Sequence, residues 1–181
     1  MTVGSSAANP ANIELTPMRV SWGGTDLGAT SGNATVSIKT EKAPITADQY
    51  GKSNLDMRIN GMNITVTTDL LEARSVTTWS EVFPSATFAS GANASITFQL
   101  PIGQSDLANA KLLTLHPLVK ADTDTTQDHN FYLAYPNEQS EIVYGPSGES
   151  KLKLVWNVFP VTTGGLSAAK WYKFGSLSTG P

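Results

Sequence analysis

ATVSIKTEKAPITADQYGKSNLDMRINGMNITVT, residues 34–67, holds the pattern that decides the fold. From Ala34 the side chains alternate, with Val36 and Ile38 in one phase and Thr35, Ser37, Lys39 and Glu41 in the other. Such a period of two is that of a β-strand with one buried face. A second alternating run follows, in which Ile59, Met62, Ile64 and Val66 carry the apolar phase. Asn60 and Gly61 interrupt the count, which predicts a β-bulge or register change there. Between the two runs lies a polar, glycine-containing segment, DQYGKSN, which predicts a loop.

Outward from this pair of strands, more short β-like runs appear. Met18 to Trp22 precedes a turn cluster of Gly23, Gly24 and Asp26, and six further runs follow. These are Ser95 to Leu100, Leu112 to Leu118, Phe131 to Tyr135, Glu141 to Tyr144, Lys151 to Val161 and Lys170 to Phe174. One helix interrupts them, over about residues 70–83. Asp69 and Glu72 have the spacing of a capping box, Val76, Trp79, Val82 and Phe83 share a helical face, and Pro84 stops it. Many short strands with one inserted helix predict a mainly β fold, a β-sandwich or partly closed barrel with one flanking α-helix. Residues 1–16 are small and polar and predict a flexible N-terminal arm, leaving residues 17–181 as a single β-rich domain.

Composition narrows the function. Charged residues make up 15% of the 181-residue chain, against about 25% in ordinary globular proteins, and Ser, Thr, Asn and Gly take their place. Uncharged polar side chains suit surfaces that pack against neighbours, because burying a hydroxyl costs far less than burying an unpaired charge. A net charge of -3 without any basic run excludes binding to nucleic acid by phosphate neutralisation. The absence of cysteine excludes disulfides, thiolate metal sites and cysteine nucleophiles, as expected of a chain that folds in a reducing cytoplasm, with a disulfide-free secreted protein as the alternative. The first residues lack the basic flank and apolar core of a signal peptide, and no stretch approaches the ~20 apolar residues of a membrane span.

Motifs for chemistry are incomplete. His116 lies in an apolar run before Pro117 and reads as a structural imidazole. The acidic loop DTDTTQDHN, Asp122 to Asn130, alternates hard ligands but has Gln127 where an EF-hand needs Gly and Leu133 where it needs Glu. A solvated loop is the preferred reading over a calcium site. GPSGESK, Gly145 to Lys151, has Ser150 in place of the second glycine of a phosphate loop and reads as a hairpin turn. Trp22, Trp79, Trp156 and Trp171 fall in amphipathic or apolar runs and read as core. No nucleophile, base and orienting group assemble, so no enzyme, no cofactor and no metal are expected.

The stretch from Met18 to about Pro84 resembles the first half of the tail tube subunits of tailed bacteriophages. The likeness is carried by Gly24-Thr25-Asp26-Leu27-Gly28, by ITADQYG at residues 45–51, by the strand around Gly61, and by Leu71-Glu72 leading towards Phe83-Pro84. The resemblance implies a structural virion protein that is assembled in the bacterial cytoplasm. It would form hexameric rings, joined through paired strands and stacked into a tube. Partners would be other copies, tail proteins at the tube ends, and DNA passing through without specific binding, with no membrane. It also gives meaning to the polar strand phase. If Val36, Ile38, Ile64 and Val66 face the core, then Thr35, Ser37, Lys39, Glu41, Asn63, Thr65, Thr67 and Asp69 share the other face, which the resemblance assigns to the lumen. Asp48, Gln49, Tyr50, Gly51, Lys52, Ser53 and Asn54 are expected to form a loop that reaches the next ring. Two other readings stay open on the residues: a carbohydrate- or receptor-binding β-sandwich module, and a capsid decoration or tail terminator protein.

Overall fold

The computed structural model describes residues 16–32, 34–46, 53–71, 76–83, 86–98, 102–137, 140–144, 150–163 and 169–177. Among these residues eleven strands are formed: β1 (Met18–Trp22), β2 (Thr25–Ala29), β3 (Thr35–Thr46), β4 (Asn54–Leu70), β5 (Thr87–Ala89), β6 (Ser95–Thr97), β7 (Lys111–Pro117), β8 (His129–Pro136), β9 (Glu141–Val143), β10 (Lys151–Phe159) and β11 (Tyr172–Phe174). Two short helices, α1 (Val76–Val82) and α2 (Asp106–Asn109), accompany them. The fold is mainly β, as the alternation predicts, and no barrel is closed.

One antiparallel sheet dominates, in the order β2-β1-β7-β8-β10-β4-β3, with β9 added beside β10 and β11 beside β8. It curls far enough that Thr30, just after β2, bridges Leu70 at the end of β4. Ser31 N donates to Asp69 O at 2.7 Å and Leu71 N donates to Ala29 O at 3.1 Å, so the end of β2 meets the end of β4 there, while β3 remains the edge strand. The curl encloses the core. Val20, Trp22 and Leu27 meet Leu113, Leu115, Phe131, Leu152, Leu154, Trp156, Ile64, Val66 and Leu70 inside it. β10 shows the rule most cleanly, since Leu152, Leu154, Trp156 and Val158 are buried and the residues between them are not. Trp22 and Trp156 pack at 5.6 Å, and each indole finds a partner. Trp22 Nε1 donates to Ala134 O at 2.8 Å, and Trp156 Nε1 donates to the buried Thr68 hydroxyl at 3.0 Å. All four tryptophans belong to the core or pack against it.

Three expectations need correction. Asp69 does not cap a helix: β4 continues to Leu70, with Asp69 opposite Lys153 and Leu70 opposite Leu152. The strand phase that buries Val66, Thr68 and Leu70 outweighs the capping pattern, and the helix as described spans Val76–Val82. Its apolar face is as read, with Val82 buried and Trp79 and Phe83 packed against the core. Glu72 and Pro84 lie outside the described residues. Asp26 is not part of a turn. Gly23 and Gly24, with φ of 59° and 87°, make the whole reversal between β1 and β2, and Asp26 already pairs with Ser21. Ile38 is not core. It is 52% exposed, because β3 is the edge strand and the pairing of β10 with β4 ends at Ile64, the residue opposite Ile38.

Candidate functional site

The pairing of β3 with β4 extends well past the rest of the sheet. β3 runs opposite β4 from Thr35–Thr67 to Thr46–Asn54, whereas β10 follows β4 only as far as Ile64. Residues 54–63 of β4 therefore have β3 on one side and, among the described residues, no strand on the other. β3 likewise has β4 on its inner side and, among the described residues, no strand outside it. The result is a two-stranded arm with both edges open, rows of unpaired backbone donors and acceptors that can template another strand.

The bulge that the sequence predicts at Asn60-Gly61 sets the character of this arm. Glu41 stands opposite Gly61 and Lys42 opposite Ile59, so Asn60 is the extra residue. Directly opposed residues point to the same face. One face therefore carries Ile38 with Ile64, Thr40 with Met62, Lys42 with Ile59 and Pro44 with Met57. With uninterrupted pairing, Asn60 and Arg58 would take the places opposite Lys42 and Pro44, and Ile59 and Met57 would turn to the polar side. The bulge thus carries the apolar phase of the core out along the arm. Nothing described in this chain covers it there, since Ile59 is 70% exposed and Met57 50%. At the base of the arm, where β4 parts from β10, a groove of about 600 Å³ is lined by Met62, Ile64, Val158, Phe159, Pro160 and Trp171, with Asn63, Thr65 and Asn157 along its polar side.

The opposite face gathers the residues that the alternation grouped. Thr35 lies opposite Thr67, Ser37 opposite Thr65 and Lys39 opposite Asn63, and Asn63 Nδ2 donates to Glu41 Oε1 at 3.0 Å. β10 extends these rows, placing Val155 beside Thr67, Asn157 beside Thr65 and Lys153 beside Asp69. Further out, Arg58 and Asp56 join the same face opposite Ala43 and Ile45. Apart from Val155, Ala43 and Ile45, it is a surface of hydroxyls and amides in which Lys39, Arg58, Glu41 and Asp56 balance in sign. Of the expected ring-to-ring loop, Asp48, Gln49, Tyr50, Gly51 and Lys52 lie outside the described residues, as do residues 1–15 of the N-terminal arm. Ser53 is exposed and Asn54 starts β4 opposite Thr46.

The candidates for chemistry disperse. In the acidic loop, Asp122 accepts from Arg19 Nη1 at 2.9 Å, Asp124 accepts from Thr126 N and Oγ1, and Asp128 holds His116 Nδ1 at 2.6 Å. The hydrogen bonds from Thr126 hold the Asp124 carboxyl below the usual carboxylate range. Each carboxylate is turned to a different partner. Among the described residues no group of three His, Cys, Asp or Glu can hold a metal ion. His116 is buried with Asp128, and its Nε2 has no partner in the described structure. Thr114 Oγ1 donates to Asn130 Oδ1, and Asn130 Nδ2 donates to Gly175 O, so this polar patch ties the C-terminal segment onto β7 and β8. His129 lies in the same layer with its Nδ1 2.8 Å from Tyr172 Oη, its ring stacked on Tyr172 and in contact with Phe174. Burial lowers the pKa of His129, and the nearby Asp128 opposes that only in part.

No family model and no curated protein matches this chain significantly. Among the described residues no helix is long and apolar enough to cross a membrane.

Proposed function

We propose that this chain is a structural protein that polymerises with copies of itself, as a subunit of a phage tail tube through which DNA passes. The observation that carries the reading is the β3/β4 arm, which among the described residues has two open edges and an apolar face that continues the core phase without being covered. A two-stranded ribbon is marginally stable alone, so an arm of this length gains most from a neighbour that completes its sheet and covers its face. Open edges are an aggregation hazard unless assembly consumes them, and a ring that closes uses each edge once. The resemblance of residues 18–84 to tail tube subunits supplies the particular assembly, stacked hexameric rings within the virion. In it the polar face of β3, β4 and β10 would line the channel. Hydroxyls, amides and balanced charges there would let the phosphate backbone slide past without being gripped.

Electron microscopy of the concentrated purified protein tests the reading. Rings or tubes of constant diameter and variable length are expected. A chain that stays monomeric at every concentration, or that forms one discrete oligomer decorated by a bound glycan, would overturn it.

A further inference from the structure

We infer that Asn60 is a site of spontaneous chemical modification, deamidation through a cyclic imide with Gly61, located at the bulge that sets the phase of the arm. Asn60 is the one β4 residue skipped between the Glu41–Gly61 and Lys42–Ile59 pairs. It is exposed, and its side chain makes no hydrogen bond among the described residues. The residue after it is glycine, whose nitrogen is flanked by no Cβ and is the least hindered backbone nucleophile. The segment belongs to the two-stranded part of the arm, where local opening is least costly. Two other asparagines of the same strand are placed differently. Asn63 is tied to Glu41 and followed by the β-branched Ile64, and Asn54 is followed by Leu55.

The chemistry needs only water. The Gly61 backbone nitrogen attacks Asn60 Cγ and a nitrogen–carbon bond forms. The Cγ–Nδ2 bond breaks, and ammonia leaves with the proton lost from the backbone nitrogen. Water then opens the succinimide at either carbonyl, leaving aspartate or isoaspartate, with no change of oxidation state. Isoaspartate adds one backbone atom at the bulge, and either product adds a negative charge. Both changes fall on the element that keeps Ile59 and Met57 in phase with the core, so conversion disables the arm. This last step rests on the proposed assembly, whereas the conversion itself does not.

Purified protein aged at mildly alkaline pH and mapped by peptide mass spectrometry tests the inference. Asn60 is expected to convert ahead of Asn54 and Asn63 in the folded protein. Gly61→Ala is a safe control, since an added Cβ would meet the Glu41 side chain only at ordinary contact distances of 3.8 and 4.0 Å. It should slow conversion at Asn60 by roughly tenfold by crowding the attacking nitrogen. Equal rates at Asn60 and Asn63, or conversion only after unfolding, would overturn the site. Aged wild-type protein should then assemble less well than fresh protein, while aged Gly61→Ala should not lose competence. Equal assembly of fresh and fully converted protein would overturn the effect on the arm. A chain that never assembles would sink the tube reading and still leave the conversion measurable.

Discussion

Replacing Met57 and Ile59 together by threonine separates folding from assembly. In the single chain these side chains are 50% and 70% exposed, and threonine suits a strand, so the monomer should lose or gain no more than about 0.5 kcal/mol. Assembly would bury what is now exposed. Full burial of a Met or Ile side chain contributes about 1.5–3 kcal/mol, so covering the exposed half to two-thirds of each amounts to about 2–3 kcal/mol per subunit contact. At about 1.4 kcal/mol per factor of ten, the concentration needed for polymers should rise by roughly 30- to 100-fold. Ile64 is the internal control. It lies on the same face of the same strand but is 3% exposed, and Ile64→Thr should destabilise the monomer by about 2–3 kcal/mol through lost packing and a buried hydroxyl. Urea unfolding gives the monomer values, and sedimentation with electron microscopy gives the assembly threshold. If the double variant polymerises at the wild-type concentration, the apolar face of the arm is not the joint.

Three further outcomes are expected. Trp156→Phe leaves the fully buried Thr68 hydroxyl without its donor and should cost about 2–4 kcal/mol in denaturant unfolding, of which adding Thr68→Val should recover about 1 kcal/mol. Because His129 has a folded pKa below its ordinary 6.5, its contribution to stability is fully present above that value and is lost as pH falls towards the lowered folded value. Thermal midpoints measured through this window should fall, and His129→Gln should flatten that part of the profile. Unchanged slopes would mean that His129 is not held between Tyr172 and Phe174. Ser37→Lys and Thr65→Lys, made singly because the two positions are directly opposed, should allow tubes yet slow DNA passage in a salt-sensitive way. Modification of cysteines placed there by a bulky reagent outside intact, end-capped tubes would show that this face is exterior.

Much of the sheet was legible because period-two alternation states which residues share a face. Val36, Ile64 and Val66 take the core phase, and the Asn60-Gly61 interruption is a bulge because an uninterrupted count would have put Ile59 among the polar residues. β2 was hidden by its glycines and Asp26. The Asp69–Glu72 spacing suggested a helix start where strand pairing to β10 prevails. His116 and Asp128 are twelve residues apart and meet only because β7 and the end of the acidic loop fold together. Alternation also cannot say whether anything lies over a face, and so Ile38 was read as core.

That last failure bears on function. In the body, Ile64 and Val66 are covered because β4 is flanked by β10 and lies over Trp156 and the rest of the core, whereas Ile59 and Met57 continue the same phase with no described residue of this chain covering them. A solvent-facing hairpin is free to carry polar residues on both faces, and doing so would reduce its tendency to aggregate. Here a bulge is used to the opposite effect, holding two large apolar side chains in line with the core and sending Arg58 and Asp56 to the other side. In the proposed assembly a second surface would complete the packing of this arm. The register of β3 and β4 thus supports the proposed reading, in which the unit of function is the assembly and not a single chain that binds or transforms a small ligand.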